Sequence, residues 1–161
     1  MDFRLSGLPA EPFLPFFTMS DAELLAHGAR RVVASAADAP PLPPCRVSLR
    51  DAGPGEVSTL LHYPHHPAPA SPYRASGPIF VHQGVTETAS FINHVPDQQR
   101  TRLLSVRAYD AEGIMVDAEV LAGEELEAMI DRCFRRADVA YLHAHNARRG
   151  CYSCRIDRVE A

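Results

Sequence analysis

The stretch "RLLSVRAYDAEGIMVDAEVLA", residues 102–122, holds two runs of strand-like sequence on either side of a short turn. In the second run, every second residue is apolar: Ile114, Val116, Ala118 and Val120. Asp117 and Glu119 occupy the intervening positions. Alternation with a period of two is typical of a strand with one buried and one solvated face. The stretch therefore predicts an antiparallel β-hairpin.

Helical patterns occur at two places in the chain. In residues 124–136 the apolar residues follow i, i+3, i+4, i+7 and i+8 spacing: Leu126, Met129, Ile130, Cys133 and Phe134. Cys133 is thus expected to be a small buried hydrophobe. Residues 20–28 predict a second helix, which begins with a capping box formed by Ser20 and Glu23.

Short strand-like segments make up most of the remaining chain: 3–8, 29–35, 45–49, 56–63, 78–82, 139–145 and 151–159. The segments 45–49 and 56–63 are expected to pair as a hairpin, and the proline-rich residues 64–77 to form a surface loop. Strands outnumber helices by about three to one. This favours an α+β fold, with a mainly antiparallel sheet and two or three helices packed on it, as a single domain over residues 1–161.

Composition narrows the classes of function. The chain has 161 residues, 46% hydrophobic and 22% charged, and a net charge of −4 with no basic block. These values are typical of a soluble globular protein and disfavour nucleic-acid binding. Lysine is absent, which excludes Schiff-base and P-loop chemistry. No apolar run approaches the roughly 20 residues of a membrane helix, and no signal peptide is apparent, so a cytoplasmic location with reduced cysteines is expected.

The strongest chemical pattern is "YLHAHNARRGCYSC", residues 141–154. His143 and His145 share one face of an extended strand and can offer nitrogens to one ion. Cys151 and Cys154 follow in C-x-x-C spacing, and this ligand set suits zinc. The four residues are therefore candidate metal ligands. In an extended strand, however, the spacing directs the two cysteines to opposite faces, so ordinary packing roles are the alternative.

Three residues are weaker candidates for catalysis. Cys151 lies beside Gly150 and two arginines, which favours a nucleophilic thiolate. His82 ends an apolar strand, and Arg46 follows a cysteine. The alternatives are a buried, inert thiol at Cys151 and a hydrogen-bonded edge histidine at His82. A C-x-x-C redox motif is disfavoured, because it normally begins a helix and too little sequence follows Cys154.

Other polar residues are open to two interpretations. The motif "HYPHHP" contains His62, His65 and His66, which suit either a metal or simple solvation. Guanidinium forks suit carboxylate and phosphate groups, and the residues considered for such an anion site are Arg46, Arg74, Arg107, Arg155, Tyr73 and Ser76. Surface pairing of these arginines with aspartates is the alternative.

Four segments occur in a characteristic order: "PPCRVSLRDAGPGE", "YRASGPIFVH", "LLSVRAYDAEG" and "YLHAHNARRGCYSCRIDR". From about Phe3 to Arg158 the chain resembles the bacterial family known as domain of unknown function 1203. The resemblance implies a small, single-domain, uncharacterised bacterial protein. It implies no activity, substrate or cofactor, and it supplies no catalytic residues.

Two functional hypotheses follow. In the first, a pocket binds or transforms a small anionic molecule, and its residues are Cys45, Arg46, His82, Cys151 and Arg155. In the second, the protein is a non-catalytic structural or interaction protein with a structural zinc at the C-terminal His/Cys cluster. Neither hypothesis involves nucleic acid or a membrane. Enzymatic activity and a homodimeric state are left open.

Overall fold

The computed structural model describes residues 1–159. Within that range the α-helices are α1 (Asp21–Ala26), α2 (Asp97–Arg100) and α3 (Leu126–Phe134), and 3-10 helices span Glu11–Thr18 and Gly123–Glu125. The strands are β1 (Phe3–Ser6), β2 (Arg30–Val33), β3 (Val57–His66), β4 (Ala75–His82), β5 (Ser90–Ile92), β6 (Leu103–Tyr109), β7 (Met115–Ala122), β8 (Tyr141–Asn146) and β9 (Tyr152–Arg158). The strands lie in antiparallel sheets, so the α+β class is confirmed.

The chain forms two compact units. The first contains residues 1–6, 64–77 and the chain from Ser90 onward. The second contains residues 7–63 and 78–89. Strands β3 and β4 contribute residues to both units. The expectation of a single domain over residues 1–161 stays a prediction.

A six-stranded sheet organises the first unit, with strand order β5-β1-β9-β8-β6-β7. The predicted hairpin of residues 102–122 is present as β6 and β7, where Leu104 pairs with Leu121 and Val106 with Glu119. β8 lies between β6 and β9 and pairs antiparallel with both. The histidine-rich strand is therefore central in the sheet.

One face of this sheet forms an apolar core. Side chains with no exposed surface alternate along its three central strands: Leu104, Val106, Ala108, Leu142, Ala144, Cys154 and Ile156. The apolar stripe of α3 is also buried, and Cys133 is fully buried as expected. Arg158 of β9 donates hydrogen bonds to the carbonyls of Phe134 and Val139, which ties the end of α3 to the sheet.

The second unit contains β2 and most of β3, which pair antiparallel, with α1 preceding them. The predicted capping box at the start of α1 is present: the Glu23 amide donates to Ser20 Oγ at 3.2 Å, and the Ser20 amide donates to Glu23 Oε2 at 2.6 Å. Arg31 on β2 donates to Asp21 at 2.7 Å, so α1 and β2 are also joined by an ion pair.

Two expectations about local structure are wrong. Residues 45–49 form a turn with one isolated bridge, at Cys45, and not a strand, and β3 pairs with β2. Cys45 and Val47 are fully buried within that turn, which accounts for the strand-like apolar content of the segment. The expected loop at 64–77 is shorter, because β3 continues to His66 and β4 begins at Ala75. Imidazole rings, not aliphatic side chains, pack there, so the period-two hydrophobic pattern is missing.

Candidate functional site

The six-stranded sheet carries a polar face opposite its apolar core. In antiparallel strands, residues directly opposite each other have side chains on the same face. The pairing of β6, β8 and β9 therefore defines three rows of side chains across the sheet. The rows are Tyr109–Tyr141–Asp157, Arg107–His143–Arg155 and Ser105–His145–Tyr152.

A β-bulge places Tyr152 in this array. The β8–β9 register shifts between Ala144 and His145, so that Ala144 pairs with Cys154 and His145 with Tyr152. Ser153 is the extra residue of the bulge, and its hydroxyl accepts a hydrogen bond from Gln99 at 2.9 Å. A bulge of this kind redirects the side chains around it. Tyr152 can consequently pack against the histidines, its ring centroid lying 5.8 Å from that of His145.

The end of β3 supplies two further imidazoles to the same face. The His65 ring stacks on Tyr152 with centroids 5.1 Å apart and planes at 11°. It also meets the His145 ring edge-on at 5.2 Å. The His66 ring stacks on Tyr109 at 4.3 Å and contacts His143 edge-on at 5.3 Å. Five aromatic or imidazole rings thus pack around His143 and His145.

Three of the histidines converge. The ligand nitrogens of His65, His143 and His145 all lie within 4.8 Å of one another. His143 and His145 are each only 2% exposed, whereas His65 is half-buried. A tetrahedral zinc ion with Zn–N bonds of about 2.0–2.1 Å holds its nitrogens about 3.3 Å apart. The three rings therefore need to approach by at most about 1.5 Å to enclose an ion, a distance within the reach of small side-chain rotations.

Hydrogen bonds assign roles to the ring nitrogens. His145 Nδ1 lies 3.1 Å from the Gly150 carbonyl oxygen and must be the donor, which leaves Nε2 with a lone pair. Metal-binding histidines are commonly oriented by such a bond from the second nitrogen. His66 Nδ1 donates to the Tyr73 carbonyl at 2.9 Å, and its Nε2 accepts from the Tyr141 hydroxyl at 2.7 Å. Both ring nitrogens of His66 make hydrogen bonds, so neither is available as a metal ligand. His66 packs against His143 of the converging group without contributing a ligand.

His143 is held as a neutral imidazole. Burial lowers its pKa to about 2, with further contributions from the charge of Arg155 and from the neighbouring histidines. Within residues 1–159 its Nδ1 has no hydrogen-bond partner, although the atom is buried. Neutral imidazole is the form that binds metal ions, and a buried lone pair without a donor is costly in a site with no ligand.

The surroundings of the three histidines include neutral phenols, the Arg107 side chain and one ion pair. Burial raises the pKa of Tyr109 and of Tyr141, so both hydroxyls stay protonated near neutral pH. The Arg155 guanidinium lies 3.9 Å from the centre of the Tyr141 ring and pairs with Asp157 at 2.8 Å. This arrangement holds Arg155 in a defined position on the polar face.

The structure brings together only part of the metal set expected from sequence. His143 and His145 lie together, and the third member of the group is His65, which the sequence offered only as one of several loop histidines. Cys154 pairs with Ala144 on the apolar face and is fully buried. Cys151 is half-buried, and its sulfur accepts a hydrogen bond from the Asn146 side chain at 3.3 Å. Neither cysteine belongs to the group.

The residues of the expected anion pocket are divided between the two units. Cys45, Arg46 and His82 belong to the second unit, and Cys151 and Arg155 to the first. In the second unit the Cys45 sulfur accepts hydrogen bonds from the amides of His82 and Ser48, at 3.3 and 3.5 Å. Arg46 is only 1% exposed, and burial lowers the pKa of His82.

The fold and the array of rings define an α+β protein with a histidine cluster on one face of an antiparallel sheet. The chain belongs to the family described as "Protein of unknown function (DUF1203)", whose model matches residues 43–158. No curated protein and no solved structure matches the sequence. The helices of the described chain, residues 1–159, include none that is both long and apolar enough to cross a membrane.

Proposed function

We propose that the protein binds one transition-metal ion, with zinc as the natural occupant, through His65, His143 and His145. The observation that carries this proposal is the convergence of three imidazoles within 4.8 Å, two of them almost fully buried. Three neutral nitrogen ligands suit zinc and its neighbours in the first transition series. Such a ligand set leaves one tetrahedral position open, which is the arrangement of catalytic rather than structural zinc sites.

The test is the metal content of untagged full-length protein. Wild-type protein is expected to hold about one zinc per chain after reconstitution and dialysis. His65→Ala should lose most of this zinc, and its matched control is His62→Ala, an exposed histidine on the same strand. Equal zinc content in the two variants would reject the site.

One further variant, compared with His65→Ala, separates this site from the C-terminal His/Cys site. Cys154→Ser leaves the three imidazoles unchanged and is expected to keep the metal. If zinc is lost with Cys154 and retained with His65→Ala, the ligands are the cysteines, and the protein is better described as one with a structural zinc. Chelation should lower the melting temperature of the wild type in either case, because metal stabilises only the folded state.

A second candidate function is the binding of a small anion at Cys45, Arg46 and His82. It is favoured by the burial of Arg46, whose guanidinium stays charged and suits oxyanions, and by two amides directed at the neighbouring Cys45 sulfur. Stabilisation of the protein by millimolar phosphate, abolished by Arg46→Gln and not by Arg50→Gln, would support it. Equal stabilisation of both variants would exclude it.

A further inference from the structure

The middle row of the polar face places a candidate metal ligand between two arginines. His143 pairs with Arg107 of β6 on one side and with Arg155 of β9 on the other. Residues paired in this way lie about 4.5–5.5 Å apart at Cβ, on the same face of the sheet. A guanidinium stays charged at any pH of interest. Two fixed positive charges therefore flank His143, one of the two almost fully buried histidines of the group.

This charge distribution is unusual for a site that binds only a cation. The three imidazoles carry no charge to offset a divalent ion, and no carboxylate belongs to the histidine group among the described residues. Asp157 lies on the same face, but it is paired with Arg155 at 2.8 Å. Arg107 donates a hydrogen bond to the Tyr109 hydroxyl. Burial raises the pKa of that phenol, so it stays protonated and supplies no negative charge. A bound ion would leave the site with a large excess of positive charge in a poorly solvated position, which is costly unless an anion accompanies it.

We propose that the open coordination position of this metal is filled by a small oxyanion, and that Arg107 and Arg155 select it. The inference rests on the proposed three-histidine metal site and adds the class of its ligand. Carboxylates and inorganic oxyanions are the groups that metal ions and guanidinium forks both bind well. The anion neutralises the excess charge that the ligands leave uncompensated.

The packing limits the size of this anion. His143, His145 and Tyr152 are each at most 3% exposed, and the rings of the two tyrosines in the first row pack against His143. Space beside the metal is therefore bounded by rings on several sides. The half-buried His65 is the most accessible of the three ligands. We expect ligands of the size of formate or bicarbonate to enter more readily than extended ones.

Metal and anion should then bind cooperatively. Because each offsets an unfavourable charge left by the other, the anion tightens metal binding, and by thermodynamic linkage the metal tightens anion binding by the same factor. Replacing either arginine by glutamine removes part of the excess positive charge. Such a variant should hold the metal at least as tightly in the absence of anion, while its response to anion should weaken. A merely structural arginine would affect both in the same direction.

The experiment uses full-length protein loaded with Co²⁺, whose visible absorption reports the coordination of the ion. Formate is titrated at constant ionic strength, with perchlorate as the balancing salt. We expect a saturable change of the spectrum in the wild type. In Arg155→Gln and in Arg107→Gln the affinity for formate should fall by about tenfold or more. Arg149→Gln is the matched control, since Arg149 is exposed in the β8–β9 loop, and it should respond as the wild type does.

The outcomes separate the two proposals. If Co²⁺ binds and formate leaves its spectrum unchanged, the anion inference is overturned and the metal site stands. If formate binds equally well to the wild type and to both arginine variants, the role of the arginines is overturned. If Co²⁺ does not bind to the wild type, the proposed function fails, and this inference fails with it.

Discussion

Replacement of His143 by leucine should stabilise the metal-free protein. The side chain is 2% exposed, and its Nδ1 has no hydrogen-bond partner within residues 1–159. A buried polar atom left without a partner costs about 1–3 kcal/mol. Leucine has a comparable volume and no polar atom. A volume-conserving substitution usually costs less than about 1.5 kcal/mol in altered packing. The net effect at pH 8 is a gain of about 1 kcal/mol, or about 2–4 °C in melting temperature for a chain of this size.

The gain should increase as the pH falls. In the folded protein burial holds the pKa of His143 at about 2, whereas the ordinary value is 6.5. The contribution of the neutral imidazole to stability is thus fully present above pH 6.5 and is lost as the pH falls from 6.5 toward 2, because only the unfolded chain takes up the proton. At pH 4.5, this uptake costs the wild type about 2–3 kcal/mol. Leucine at position 143 removes that cost, so at pH 4.5 the free energy of unfolding of His143→Leu should exceed that of the wild type by about 3–4 kcal/mol.

Urea unfolding in the presence of a chelator, at pH 8 and at pH 4.5, measures both quantities. The control is His145→Leu, which removes the hydrogen bond from Nδ1 to the Gly150 carbonyl and should cost about 1 kcal/mol at pH 8. The reasoning is refuted if His143→Leu is less stable than the wild type at pH 8. It is also refuted if the difference between the two proteins is the same at both pH values.

Three further changes test the scaffold. Gly123→Ala should destabilise the protein by about 3 kcal/mol in urea unfolding, because the new Cβ would lie 1.9 Å from the Gln99 carbonyl oxygen. Ser20→Ala removes half of the capping box of α1 and should cost about 1 kcal/mol in the same assay. Glu56→Gln should cost below about 1 kcal/mol at pH 7, because its ion pair with Arg50 is partly exposed. The Arg50 hydrogen bond lowers the pKa of Glu56 to about 2, so this difference should be present above pH 4.5 and disappear as the pH falls toward 2.

Two of these changes have a conservative counterpart. Gly53→Ala should be close to neutral, since the nearest atom to its Cβ is the Glu56 carboxylate at 3.9 Å. Ser20→Thr keeps an acceptor for the first turn and should retain most of the stability of α1. A Gly123→Ala protein as stable as Gly53→Ala would contradict the close approach of residue 123 to α2. A pH-independent effect of Glu56→Gln would contradict the depressed pKa.

The parts of the fold that sequence predicts are those in which one local pattern decides the structure. The β6–β7 hairpin and α3 have apolar residues at clear periods of two and 3.6, and both form as expected. Residues 45–49 have the same apolar content as a strand but fold as a buried turn. The segment is held by bridges from Pro44 to Asp51 and from Cys45 to Phe80, and a local pattern contains no information about such partners.

The candidate site shows the same limit. The spacing of His143 and His145 places them on one face from sequence alone, because alternation along a strand is a local property. The choice of the third ligand is not local. His65 lies almost 80 positions earlier in the chain and reaches the pair only because β3 extends beyond its last aliphatic residue. The C-x-x-C spacing, in contrast, does not bring the cysteines to the histidines, because Cys154 pairs with Ala144 on the apolar face and Cys151 lies beside Asn146.

Adding metal distinguishes a ligand role of His143 from a role in packing alone. At a zinc concentration 100 times the dissociation constant, binding stabilises the wild type by about 2.7 kcal/mol. This exceeds the gain of about 1 kcal/mol expected for His143→Leu at pH 8 in chelator. The order of stability should therefore reverse: the leucine variant is the more stable protein without metal, and the wild type is the more stable one with zinc. A histidine retained only for packing would give the same order in both conditions, because zinc would stabilise neither protein.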